Sequence, residues 1–135
     1  GHHPVEIKAA LQAGRMMCGG NKLVAVVQPH RYSRLADLFT DFCGCFNDAD
    51  EVLVADVYAA GETPIEGFDK AALVEGLRDH GHKGPAALES QSALAREILS
   101  RTNKGDLVMC LGAGDITSWA ASLPAELDAL RERST

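Results

Sequence analysis

Val24-Ala25-Val26-Val27-Gln28-Pro29-His30-Arg31-Tyr32-Ser33-Arg34 decides how the rest of the chain is read. A run of small and β-branched apolar residues stops abruptly, and a histidine, two arginines, a tyrosine and a serine follow it. Unbroken apolar character suits a strand covered on both faces, as in a parallel sheet. The residues beyond it are cationic and rich in hydrogen-bond donors, and an amphipathic helix begins among them. In open α/β sheets, ligands bind beyond the carboxyl ends of the strands. The stretch therefore reads as a strand that delivers a cationic loop to a binding edge.

Working outward, Pro4 to Met17 is expected to be a helix. Ile7, Ala10, Leu11, Gly14 and Met17 recur at helical spacing, and Pro4 suits the first helical position. Gly19-Gly20-Asn21 breaks it. Downstream, Ser33 reads as the N-cap of a helix whose stripe is Leu35, Leu38, Phe39, Phe42 and Phe46. Val52 to Ala55 is a second buried-type strand ending at Asp56, and Tyr58 to Pro64 is a loop. A helix is expected over Asp69 to His80, a short strand over Ala86 to Leu88, and a helix capped by Ser90 over Gln91 to Ser100. Leu107 to Leu111 is another apolar strand. A tight loop, Gly112-Ala113-Gly114-Asp115, leads into a helix over Ile116 to Leu123, and Pro124 starts a last helix. Strands alternating with helices indicate an α/β domain: an open, mostly parallel sheet with helices on both faces. The chain opens on a helix, so a further strand is expected upstream of Gly1.

The 135 residues suffice for one domain with a sizeable core, and 46% hydrophobic with 24% charged residues is ordinary for a soluble globular protein. A formal net charge of -6 argues against nucleic acid as the main partner. No apolar run approaches the length of a membrane span, and no secretory signal is visible. Cys43 and Cys45 lack zinc-knuckle spacing, so they are read with Cys18 and Cys110 as free thiols, and no metal site is expected. Gly1-His2-His3 is too short for a purification tag and reads as native sequence entered within a larger protein.

Four loops are expected to gather at one edge of the sheet. His30, Arg31 and Arg34 suit a carboxylate or a phosphate, because arginine offers a planar fork of donors. The helix start beyond them adds a positive dipole end. His2 and His3 suit ligands, proton carriers or helix caps. Asp56 and Glu62 suit a ribose, an amino group or a metal-bound water, and equally the local backbone. Gly112-Ala113-Gly114 resembles half of a phosphate-binding glycine loop, but the third glycine is missing. A plain tight turn is the alternative. The sequence has no P-loop and no evident pairing of nucleophile with base.

Taken together, these loops resemble a known family. Gly1-His2-His3-Pro4 followed by a helix is similar to the start of the C-terminal domain of the Mur ligases. Gln28 to Arg34, then Asp56-Val57-Tyr58-Ala59-Ala60-Gly61-Glu62, then Gly112 to Ile116 resemble the alanine-adding branch of that family. The resemblance implies a Rossmann-like fold for residues 1–135, with the UDP-sugar and central ATPase domains outside this chain. It also implies a cytoplasmic enzyme that uses ATP and Mg2+ to join L-alanine to UDP-N-acetylmuramic acid through an acyl phosphate. On that resemblance Arg31 and His2 are the catalytic candidates. His30, Arg31, Arg34, Asp56, Tyr58 and Glu62 are the substrate-side candidates. His2, His3, Gly112 and Gly114 are assigned to the nucleotide side. The family's Asp-Tyr before the Gly-His-His-Pro is not in the sequence. The chain alone is expected to be inactive and to retain neither ATP nor Mg2+. Two other readings remain open: a cell-wall-recycling ligase that attaches a murein peptide to UDP-N-acetylmuramate, and a stand-alone α/β module for an anionic metabolite.

Overall fold

The computed structural model describes residues 3–112 and 115–134, with side chains through residue 130. Four strands form one parallel sheet: β1 (Leu23–Gln28), β2 (Glu51–Val54), β3 (Pro85–Ala87) and β4 (Leu107–Gly112), in the order β3-β2-β1-β4. Among the described residues six helices accompany them: α1 (Pro4–Cys18), α2 (Tyr32–Asp37), α3 (Phe39–Gly44), α4 (Lys70–Asp79), α5 (Leu94–Arg101) and α6 (Ile116–Ser134).

Alternation along β1 explains the layering. Successive side chains of a strand point to opposite faces. Leu23, Ala25 and Val27 join a core with Ile7 and Leu11 of α1, Leu35 of α2, Phe42 of α3 and Leu73 and Leu77 of α4. Val24 and Val26 join a second core with Leu94 and Ile98 of α5 and Ile116 and Leu123 of α6. All of β1 is buried, as the unbroken apolar run predicts. The sheet is thus open, parallel and covered on both faces.

Three expectations about the helices are corrected. The Phe-rich helix is two short helices, because the backbone at Leu38 leaves helical geometry (φ -115°, ψ 20°). The helix after Ser90 opens with a 3-10 turn over Gln91–Ala93, and the Ser90 hydroxyl bonds to that of Ser92 instead of capping it. The last two helices are one, with Pro124 inside α6. Ile116, Trp119, Leu123, Leu127 and Leu130 pack against one core at helical spacing, so tertiary packing carries the helix through the proline.

At the amino ends of the strands, a charged network closes the sheet. The Arg15 guanidinium binds the Asp50 carboxylate at 2.8 Å, and that carboxylate also accepts the Leu23 amide. Glu51 binds Lys22 at 2.8 Å and Arg101 at 2.7 Å. This network lies at the end of the sheet opposite the loop that follows β1, and its charges are mutually satisfied.

Candidate functional site

The strand order locates a crevice. The chain steps from β1 to β2 to β3 and then returns to place β4 on the other side of β1. Beyond β1 the chain turns into α2 on one face, and beyond β4 into α6 on the other. Connections that diverge in this way leave a gap at the carboxyl ends, the topological switch point where open sheets bind ligands.

Gln28 and Gly112 form the floor of that gap and are paired in the sheet register. Gln28 is buried, and its side-chain oxygen accepts the Ile116 amide at 3.0 Å. It therefore caps α6 from a neighbouring strand. Gly112 has φ +152°, and a Cβ there would lie 2.7 Å from the Gln28 carbonyl oxygen and 2.8 Å from Ile116 Cγ2. Close approach of two strand ends thus accounts for the glycine at 112 without a ligand. Gly114 and His2 lie outside the described residues. His3 is the N-cap of α1, its Nδ1 accepting the Val5 amide at 3.2 Å, which matches the cap among its sequence readings.

The loop after β1 is laced to the loop after β2. The Tyr58 amide donates to the Pro29 carbonyl at 2.8 Å, and the Arg31 amide donates to the Tyr58 carbonyl at 2.7 Å. The His30 and Tyr58 rings stack with centroids 5.3 Å apart and planes 12° from parallel. Arg31 is held at φ 72°, ψ 134°. Residues other than glycine rarely adopt such a backbone, at a cost of order 1–3 kcal/mol, and such strain persists at functional sites where the surroundings over-determine it.

Glu62 completes the lacing. The turn that delivers it has positive φ at Ala60 (52°) and Gly61 (89°), closed by the Glu62 amide on the Ala59 carbonyl at 3.0 Å. Its carboxylate accepts the Ser33 amide at 3.1 Å and the Ser33 hydroxyl at 2.5 Å. Ser33 is therefore not the N-cap expected of it. It lies inside α2, and the capping oxygens come from the other loop. The Ser33 hydroxyl, then the Ser33 amide, hold the Glu62 carboxyl below the usual glutamate range, with a smaller contribution from the charge of Arg31.

Asp56 is exposed and pairs with Lys70 at 3.0 Å, while Lys70 also donates to the Leu88 carbonyl at 2.8 Å. Lys70 thus ties the ends of β2 and β3 together. Sequence reasoning missed it, although its place directly after the Asp69 cap put it at the same sheet edge. Arg15, Arg78 and Arg101 are ion-paired, whereas among the described residues Arg31, Arg34 and Arg96 have no salt bridge, and of these three Arg31 and Arg34 stand at the carboxyl end of the sheet. These two guanidiniums line a surface recess of about 340 Å³ together with Ser33, Asp37 and Leu38. Burial lowers the pKa of His30, and the charges of Arg31 and then Arg34 lower it further. A neutral imidazole beside two guanidiniums without salt bridges suits an anionic ligand. Among the described residues, no three histidine, cysteine, aspartate or glutamate side chains cluster as a metal cage.

Residues 1–114 match the family model for the Mur ligase, glutamate ligase domain. The chain is 64% identical over 134 residues to a UDP-N-acetylmuramate–L-alanine ligase of Paramagnetospirillum magneticum, covering 99% of this chain and 28% of that protein. It is 65% identical over 130 residues to the protein of that name from Rhodospirillum centenum, covering 96% and 27% respectively. The chain thus spans a little over a quarter of the length of these curated relatives. A crystallised domain of a Haemophilus ducreyi protein described as a UDP-N-acetylmuramate:L-alanyl-gamma-D-glutamyl-diaminopimelate ligase has the same fold. It superposes with a TM-score of 0.65 at 19% identity, over 94% of this chain and 85% of that one. The family model that covers residues 1–114 shows that the chain belongs to the Mur ligase family.

Proposed function

We propose that the full-length protein carrying this chain is an ATP-dependent ligase that joins L-alanine to UDP-N-acetylmuramic acid in cytoplasmic peptidoglycan precursor synthesis. In this reading residues 1–135 are the amino-acid-side domain, and the UDP-sugar and ATPase domains lie elsewhere in the protein. Identity above 60% to curated ligases of that name supports the substrate pair. The observation that carries the site is the pair of guanidiniums, Arg31 and Arg34, without salt bridges at a switch-point crevice, one of them on strained backbone. The chain has a net charge of -6, and no helix among the described residues is long and apolar enough to cross a membrane, so neither nucleic acid nor a membrane is a proposed partner.

ATP would phosphorylate the sugar carboxylate and leave as ADP, and the alanine amine would attack the acyl phosphate, expelling inorganic phosphate and losing a proton as the amide forms. Arg31 would stabilise the charge that develops on the transferring phosphoryl group, where preorganised donors act most strongly. Arg34 or His30 would hold the alanine carboxylate. Asp56, Tyr58 and Glu62 would shape the amino-acid side, and His2, His3, Gly112 and Gly114 the nucleotide side, with His2 as a second catalytic candidate. ATP and Mg2+ would be held chiefly by the ATPase domain. The likeness of the Haemophilus domain supports the fold alone, so the alanine-adding reading stands ahead of the murein-recycling one.

The test is ADP release by the full-length protein with ATP, UDP-N-acetylmuramic acid and L-alanine. Release is expected to depend on alanine, and Arg31→Ala is expected to slow it at least about tenfold, an effect of about 1.4 kcal/mol on the barrier. Preference for a murein peptide over alanine would overturn the alanine assignment. Unchanged turnover in a folded Arg31→Ala protein would remove Arg31 from the mechanism.

A further inference from the structure

We propose that Glu62 is a positioning residue. It clamps the loop after β2 onto the first turn of α2 through Ser33, and so sets where Arg31 and Arg34 stand. This assignment rests on the ligase reading above for its kinetic consequence, but not for the clamp itself.

Three observations converge. Both oxygens of Glu62 are engaged by one residue, the amide and the hydroxyl of Ser33, across 29 residues of sequence. Ser33 lies between Arg31 and Arg34, so whatever fixes Ser33 fixes the backbone that carries both guanidiniums. Two strained residues flank this contact: Arg31 at φ 72° on one side, and Ala60 at φ 52° on the other. Strain of this kind persists only where neighbouring contacts over-determine it. The backbone bonds between Tyr58 and residues 29 and 31 anchor one end of the β2 loop, and the Glu62–Ser33 contact anchors the other.

The clamp also changes what the start of α2 offers. Its amide end is already met by a carboxylate, so an incoming anion finds the guanidinium forks and not the helix end. The dipole contribution expected from the sequence is therefore spent within the chain. Glu62 accordingly acts through Ser33 and the arginines and need not touch the substrate.

The experiment uses the full-length protein with E62A, E62Q, S33A, S33T and the S33A/E62A double variant. The side-chain amide introduced by E62Q still accepts the Ser33 amide hydrogen and exchanges a hydrogen bond with the Ser33 hydroxyl. S33T keeps the hydroxyl, so both conservative variants retain the clamp. E62A and S33A are each expected to lower kcat/KM for L-alanine at least about tenfold. E62Q and S33T are expected to recover most of that loss. The double variant is expected to be no worse than either single one, as for residues that act as a unit. Hydrogen exchange should quicken at residues 29–34 and 58–62 in E62A and S33A, while β1 and β2 keep their protection. Full activity in S33A, with E62A and E62Q equally impaired, would place Glu62 on the substrate and overturn the assignment. Unchanged exchange at both loops would overturn it too. A wild-type protein that cannot ligate alanine would refute the ligase reading, and the exchange result would still decide the clamp.

Discussion

His30 occupies a position where burial and two neighbouring guanidiniums act in the same direction, all disfavouring the imidazolium. Its folded-state pKa therefore lies below the ordinary 6.5, with Glu62 opposing only in part. Because the unfolded chain takes up the proton more readily, stability present above pH 6.5 is lost as the pH falls below it, down to the folded pKa. An NMR titration of the imidazole is expected to place its midpoint below 6.5, and Arg31→Ala is expected to move that midpoint upward. A midpoint at or above the ordinary value would show that neither burial nor the guanidiniums act on the ring as this geometry requires. The sequence placed His30, Arg31 and Arg34 in one loop, and the structure keeps them together. It did not disclose that Arg31 is backbone-strained or that Ser33 is bound to Glu62. Both depend on a loop distant in sequence, which no local pattern reports.

At the scale of elements, the strands were the most legible, because a run such as Leu23 to Val27 is apolar whichever face is considered. Helix boundaries were less so. The break at Leu38 leaves the apolar stripe of α2 and α3 intact, so periodicity passed over it. Pro124 misled in the opposite direction. Proline lacks an amide hydrogen and its ring crowds the carbonyl four residues back, here that of Ala120, which usually costs about 3 kcal/mol inside a helix. Five apolar side chains of α6 still reach one core on both sides of that position. Pro124→Ala restores the missing donor while leaving those five in place. It is expected to stabilise the domain by about 1–3 kcal/mol, the lower values reflecting the greater freedom of the unfolded alanine chain. Denaturant unfolding measures this, and a destabilised variant would mean that the helix does not run straight through.

For the whole molecule, the two cores and the charged network at the amino ends of the strands involve only this chain, whereas the site does not close on itself. Arg31 and Arg34 present donors from one side of a crevice, and in the proposed reaction the nucleotide phosphates would be held by a P-loop that the sequence does not carry. Phosphoryl transfer relies on positioning and on charge stabilisation around an in-line arrangement. Bringing the reacting groups together is worth several kcal/mol, about 7–11 in well-oriented cases, and a single face of a site cannot supply it. The relatives that match are more than three times as long as the stretch they share with this chain. The 135-residue chain on its own is therefore expected to release no ADP from ATP in the presence of UDP-N-acetylmuramic acid and L-alanine. Its affinity for alanine alone is expected to be about millimolar or weaker, near -4 kcal/mol. Circular dichroism of the same preparation establishes that it is folded when assayed, and calorimetric titration reads the affinity. Alanine-dependent turnover by the folded chain would show that the guanidinium face alone assembles the reaction, and would overturn the division of the site between domains.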